Sequence, residues 1–118
     1  MLDRPIVGLI LPFAGDYAPA GWAFCRGQLL DPRAYPELFL LIRETYGGDG
    51  ETTFALPDLV GRTLYGAGTG ADAYEVPLGH VSAAPPRSGA PDGDAPRGAV
   101  AINWIICVQG EMPAPADV

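Results

Sequence analysis

The sequence predicts a small, mainly β domain of the α+β class, built from short strands, one helix and one long loop. Three observations lead to this prediction. The 118 residues include 16 glycines and 13 prolines, a composition typical of short elements joined by turns. A helical repeat of apolar residues occurs once, and the longest run rich in β-branched residues lies late in the chain. At this length we expect a single domain over residues 1–118.

The first 30 residues predict strands separated by turns. Residues 5–11 read as a β-strand with a flexible point at Gly8. Two prolines and two glycines within residues 12–21 predict a series of turns. Residues 22–25 and 28–30 are short apolar runs on either side of a glycine, and we interpret them as a tight hairpin.

A helix is predicted over residues 36–45. Pro36 suits the first helical position, where its missing N–H costs nothing. Gly47 suits a left-handed position after the last turn. The positions that repeat at i, i+3, i+4 and i+7 between these two residues are Leu38, Leu41, Ile42 and Thr45.

The second half of the chain combines a long loop with the strongest predicted strand. Residues 66–98 are dominated by Gly, Ala, Pro, Ser and Asp, and we interpret them as a flexible loop that leaves the fold. Residues 99–108 are apolar and rich in β-branched side chains, which predicts a central strand covered on both faces.

Charge and hydropathy exclude several classes of partner. The net charge is −7, with seven arginines and no lysine, so we expect no nucleic-acid binding, which depends on clustered cations. The apolar run over residues 6–13 is interrupted by Gly8 and Pro12 and is far shorter than a membrane span. Membrane insertion is therefore not expected, and the N-terminus lacks the pattern of a classical signal peptide.

Residues 45–62 read T-Y-G-G-D-G-E-T-T-F-A-L-P-D-L-V-G-R, a glycine cluster that raises the question of a ligand. A phosphate-binding loop would need a lysine at a helix start, and these glycines follow a helix instead. The acidic residues do not keep the spacing of a calcium loop. We interpret Gly47 as a helix cap and Asp49-Gly50 as a turn into a strand over residues 52–54.

Enzyme chemistry is not expected, nor is a cofactor or a metal ion. The single histidine, His80, and the two serines, Ser82 and Ser88, lie in or beside the proline-rich loop, where a Ser-His-Asp site would lack rigid support. The two cysteines, Cys25 and Cys107, lie in apolar strand patterns. Two alternatives stay open for them: a disulfide bond, which would imply an oxidising compartment, or two buried free thiols.

Three blocks of this sequence, in order, closely resemble the phage tail collar family, which includes the microcystin-dependent proteins of bacteria. The blocks are residues 12–30, residues 46–62 and residues 101–110. The resemblance implies a structural protein of tail fibres or phage-like particles, and the chain looks like a shortened member. It assigns a backbone-shaping task to Gly47, Gly48, Asp49, Gly50, Pro57, Asp58, Gly61 and Arg62.

One departure from the family limits what the resemblance implies. Longer members usually carry a threonine-rich segment and a His-x-His-like motif suited to a metal ion. This sequence has a single histidine, His80, in that region. Metal binding is therefore not implied for this chain, whereas pairing of Asp58 with Arg62 through a charge-assisted hydrogen bond is expected.

The function predicted from these observations is a structural subunit that assembles with copies of itself in a virion, a phage-like particle or an extracellular surface fibre. A terminal strand can add to the sheet edge of another subunit, and filaments or closed oligomers would follow. The alternative is that this strand stays within its own sheet. The residues predicted to contact the neighbouring subunit are Ile6, Val7, Leu9, Ile10 and Leu11.

A competing prediction is an adhesion module at a fibre tip that binds a cell-surface glycan or receptor. Aromatic side chains can stack on sugars, and long loops often carry binding residues. Trp22 and Trp104 lie in apolar strands and are expected in the core. The residues predicted to form a surface-binding loop are Tyr65, Tyr74 and His80.

Overall fold

A three-stranded antiparallel sheet, a short helix and two small β-ladders make up the fold in a computed structural model that describes residues 4–82 and 98–116. The elements in chain order are β1 (Ile10–Phe13), β2 (Trp22–Phe24), β3 (Leu29–Leu30), α1 (Pro36–Ile42), β4 (Phe54–Ala55), β5 (Gly68–Thr69), β6 (Glu75–Val76) and β7 (Asn103–Cys107). The predicted fold class, mainly β with a single helix, is confirmed.

The last strand is the centre of the main sheet. β7 pairs antiparallel with β1 on one side and with β2 on the other, so the strand order is β1-β7-β2. Ile105, Ile106 and Cys107 are consecutive and all buried. Because neighbouring side chains on a strand point to opposite faces, this burial means that both faces of β7 are covered. The strand predicted over residues 99–108 is present and shorter.

The N-terminal strand begins later than predicted because a β-bulge interrupts it. The N–H of Gly8 donates to the Cys107 carbonyl, and the Cys107 N–H donates to the Leu9 carbonyl, each at 2.9 Å. Two residues therefore oppose one, and Gly8 has the positive φ of 91° that the first bulge residue requires. Regular pairing starts at Ile10.

The hairpin predicted over residues 22–30 is wrong. β2 pairs with β7, whereas β3 pairs with β4, in the register Leu29↔Ala55 and Leu30↔Phe54. Gly27 has a φ of 76°, and the chain changes direction there instead of folding back on itself. The Gln28 side chain donates its Nε2 to the Phe24 carbonyl at 2.7 Å.

Helix α1 ends three residues before the predicted end at residue 45. Arg43 has a φ of 47°, and its N–H makes a last helical bond to the Phe39 carbonyl at 2.8 Å. The left-handed residue is therefore Arg43, and Gly47 lies in a following turn. Leu38 is fully buried, but Leu41 is 42% exposed, so the apolar face of this seven-residue helix is narrower than the sequence repeat indicated.

The core lies on one face of the main sheet. Its buried members are Val7, Cys25, Leu38, Phe54, Leu56, Ile106 and Val108, from the N-terminal bulge, the sheet, α1 and the β3-β4 ladder. Trp104 is half-buried and packs against this cluster. Trp22 is half-buried opposite Cys107 and lies on the other face of the sheet.

The chain divides into two compact units, Met1–Val60 with Ile102–Val118, and Gly61–Ala101. The second unit contains a short hairpin within the stretch predicted as a loop. Gly68 pairs with Val76 and Thr69 pairs with Glu75. Residues 83–97 of the predicted loop lie outside the described residues. Among the residues that the structure describes, no helix is long and apolar enough to cross a membrane.

Candidate functional site

The glycine-rich stretch is organised around the carboxylate of Asp49. Its Oδ1 accepts the backbone N–H groups of Glu51, Thr52 and Thr53 at 2.8, 2.8 and 2.9 Å. The Thr52 hydroxyl donates to the other carboxylate oxygen, and the Asp49 N–H donates to the Thr53 hydroxyl. The Thr52 hydroxyl and the three N–H groups hold the pKa of Asp49 well below its usual range. The carboxylate is thus engaged with its own loop.

Gly48 is the glycine in this loop whose backbone approaches the rest of the fold most closely. It has a φ of 92°, and a Cβ at this position would lie 2.6 Å from the Phe54 Cα and 2.7 Å from the Thr53 carbonyl oxygen. A Cβ at Gly50 would meet the end of the Glu44 side chain instead. The glycine cluster therefore lets the loop close onto the start of β4 without side-chain clash.

The Leu-Pro-Asp-Leu corner joins this loop to the end of β2. Asp58 forms an isolated antiparallel bridge with Arg26, and the Leu59 N–H donates to the Cys25 carbonyl at 3.0 Å. Gly27 donates its N–H to the carbonyl of the buried Pro57 at 3.2 Å. The corner thus connects the first and second sequence blocks through backbone hydrogen bonds.

The Asp58 carboxylate accepts the Val60 N–H at 3.3 Å, in addition to its other interactions. The predicted pairing of Asp58 with Arg62 stays a prediction. Gly61 has a φ of 71° and open space around the position of a Cβ. Its glycine is therefore required by the backbone conformation and not by a close neighbour.

Arg26 and Asn103 form a polar bridge over the sheet that the sequence analysis did not single out. The Arg26 guanidinium lies 4.1 Å from the centre of the Phe24 ring and donates to the Asn103 Oδ1 at 3.2 Å. The Asn103 Nδ2 donates in turn to the Gly15 carbonyl at 2.8 Å. The family resemblance could have indicated this bridge, because Arg26 belongs to the first sequence block and Asn103 to the third.

The two cysteines are free and buried in the structure. The register Phe24↔Ile105 places Cys25 opposite Trp104, three residues from Cys107 along β7. That offset is about 10 Å, beyond the Cα separation of about 7 Å that a disulfide tolerates. An odd offset also directs the two side chains to opposite faces. Of the two alternatives, the structure therefore has the free thiols.

Residues 8–64 match the family model of the Phage Tail Collar Domain. These residues form a phage tail collar domain. The match covers the first two sequence blocks, and the third block, with β7, lies outside it. None of the curated proteins compared with the chain matches it. The collar domain is a structural domain of phage tail fibres and is associated with the virion.

Most of the residues predicted to contact a neighbouring subunit are buried or half-buried within the subunit itself. Val7 is buried in the core, and Ile10 packs against it. Leu9 and Leu11 are half-buried and pair with β7. Ile6 differs, because it is 46% exposed and forms a single bridge to Glu111. The structure thus places this strand within its own sheet.

The residues predicted to form a binding loop belong to the second unit. The Tyr65 hydroxyl is 3.5 Å from the His80 carbonyl, so these two residues lie together. Tyr74 lies at the end of the β5-β6 turn, where its N–H donates to the Asp72 Oδ1 at 3.0 Å. All three side chains are exposed. Ser82 is described and exposed, and Ser88 lies outside the described residues.

Metal-ligating side chains are dispersed where the structure describes the chain. Within residues 4–82 and 98–116, no group of three or more His, Cys, Asp and Glu side chains is placed to hold a metal ion. The best-connected carboxylate, that of Asp49, is directed at the N–H groups of its own loop. The backbone-shaping role predicted for the other residues of the family motif stays a prediction.

Proposed function

We propose that this chain is a structural subunit of a phage tail fibre, a phage-like particle or an extracellular fibre, and that it assembles with copies of itself. The observation that carries the proposal is the collar match over residues 8–64. Support comes from the carboxylates of Asp49 and Asp58, two residues of the family motif, which accept backbone N–H groups of their own loops.

Self-assembly needs a surface that gains from being covered, and the N-terminal region offers one. Ile6 begins a turn closed by the bond from the Leu9 N–H to the Ile6 carbonyl at 3.1 Å. Leu41 lies directly against Gly8 in that turn. Both Ile6 and Leu41 are more than 40% exposed. Exposed apolar surface of this kind favours protein association.

The contact that we propose uses these side chains instead of an exchanged strand. Releasing residues 6–11 would remove Val7, which is 1% exposed, from the core. The outer edge of β1 is also a poor template. The Leu9 carbonyl accepts a hydrogen bond from β7, and backbone groups along a strand point alternately toward one neighbour and the other. The backbone groups of Ile10 and Pro12 therefore point away from β7, toward the outer edge. Pro12 has no N–H with which to bond an added strand.

The test compares the mass in solution of the wild-type protein with that of an Ile6→Ser, Leu41→Ser double variant. Sedimentation velocity and electron microscopy of the wild type should show closed oligomers or filaments, and the double variant should assemble at least about tenfold more weakly. Leu29→Ser is the matched control, because Leu29 is 60% exposed and belongs to β3 and not to this turn.

Two results would count against the proposal. A wild type that stays monomeric at about 100 µM, a concentration that reveals even weak contacts, would remove self-assembly. Assembly that the double variant and the control weaken equally would show that Ile6 and Leu41 form no specific contact. Circular dichroism of each variant establishes that the fold is retained.

A further inference from the structure

The second unit, Gly61–Ala101, exposes large apolar side chains that its own described residues do not cover. These are Leu64, Tyr65, Tyr74, Leu78, Val81 and Val100, and their exposed fractions run from 45% to 85%. An aromatic side chain has an area of about 150 to 250 Å², so the two tyrosines and the four aliphatic side chains together present roughly 500 Å² of apolar surface or more. That area approaches the roughly 800 Å² that each partner buries in a standard protein interface.

The regular structure of this unit is too small to be stable by itself. Its hairpin consists of two pairs, Gly68↔Val76 and Thr69↔Glu75. The turn is closed by the Gly70 N–H, which donates to the Tyr74 carbonyl at 2.9 Å. An isolated two-stranded hairpin is at best marginally stable in water and needs packing against something else.

The chain's own neighbouring segment has little to pack with. Residues 83–97 read A-A-P-P-R-S-G-A-P-D-G-D-A-P-R and contain no Leu, Ile, Val, Met, Phe, Tyr or Trp. Their side chains offer almost no large apolar surface, which is what covering the hairpin would require. A surface richer in large apolar groups would cover the hairpin more effectively than this segment.

Charge favours the same unit of a second copy as that surface. Residues 61–101 carry three arginines against four acidic residues, a net charge of −1. Residues 1–60 with 102–118 carry four arginines against ten acidic residues, a net charge of −6. Like charges oppose association, so two copies that meet through residues 61–101 bring together the two nearly neutral parts of the chain.

We propose that the described part of this unit, residues 61–82 and 98–101, is a self-association surface, on which the hairpin of one copy packs against the same residues of a second copy. This inference rests on the proposed self-assembly and names a second interface for it. Each copy then has two neighbours, one at the Ile6 and Leu41 surface and one at the hairpin. Two such interfaces on every copy can extend a row of subunits, which is what a fibre requires.

The test uses a Tyr74→Ser, Leu78→Ser double variant of the full chain. Both side chains are 68% exposed, so their loss leaves the core of the first unit intact. We expect the double variant to associate at least about tenfold more weakly in sedimentation velocity. The remaining species should be a dimer through the Ile6 and Leu41 surface. Leu29→Ser, which removes a comparably exposed apolar side chain from β3, should associate like the wild type.

A second measurement identifies what covers the hairpin. Hydrogen exchange of the Thr69 to Val76 amides should slow as the concentration of the wild type rises, since a second copy provides the cover. Protection that does not depend on concentration would overturn the inference, because the chain would then cover itself. The inference is also overturned if the double variant assembles like the wild type. The same holds if the double variant loses glycan binding but keeps its assembly. A monomeric wild type instead removes the proposed function.

Discussion

Replacing Gly48 with alanine tests whether the collar signature acts through backbone geometry. The added Cβ would lie 2.6 Å from the Phe54 Cα and 2.7 Å from the Thr53 carbonyl oxygen, and neither backbone atom can move without displacing the fully buried Phe54. A side chain at positive φ costs about 1 kcal/mol, and overpacking adds about 1 to 3 kcal/mol. We therefore expect Gly48→Ala to lower the free energy of unfolding by about 3 kcal/mol.

Gly50→Ala is the matched control because Gly50 lies in the same loop with a φ of 77°. Its Cβ would meet the carboxylate end of Glu44, an exposed and flexible side chain. We expect a loss of about 1 kcal/mol from the backbone conformation alone. Urea unfolding followed by the fluorescence of Trp22 and Trp104 measures both variants. Equal destabilisation would refute the reasoning, because the two positions would then differ in no contact that matters.

Two further predictions concern titration. The pKa of Asp49 lies below its ordinary value of 3.8, so the stability that this carboxylate contributes is complete above that value and is lost as the pH falls below it. The free energy of unfolding, measured with urea, should therefore fall more steeply in acid for the wild type than for Asp49→Asn. Asp31, whose pKa is also lowered, contributes equally to both proteins. Parallel pH profiles of the two proteins would contradict this role of Asp49. Burial raises the pKa of Cys25 to about 11 and also raises that of Cys107, so iodoacetamide at about pH 8 should label both thiols in urea and neither in the folded protein. Mass spectrometry reads the labelling, and rapid modification of the folded protein would show that the thiols are accessible.

Local sequence signals located the turns correctly where the backbone itself demanded a particular residue. Gly48 and Gly50 have positive φ values, and Asp49 bonds to the N–H groups two to four residues ahead. Such features depend on a few consecutive residues, so they can be predicted from sequence. The apolar run over residues 99–108 also identified the central strand. A strand that is buried on both faces has an uninterrupted apolar sequence.

Features that depend on distant residues were not predictable in the same way. Residues 22–30 have the local pattern of a hairpin, but β7 and β4 are the actual partners of these strands. The helix repeat extends to residue 45, yet the chain leaves the helix at Arg43. In both cases a local pattern allowed more than one structure, and contacts made elsewhere in the fold selected one of them.

The sequence by itself determined the fold class, the positions of the tight turns and the membership of residues 8–64 in the phage tail collar family. Only the tertiary structure decided which strands pair, that Cys25 and Cys107 point to opposite faces, and that Val7 is held in the core while Ile6 remains exposed. The physical reason is that backbone conformation at a turn is set by adjacent residues, whereas strand register and burial are set by side chains that are far apart in the chain.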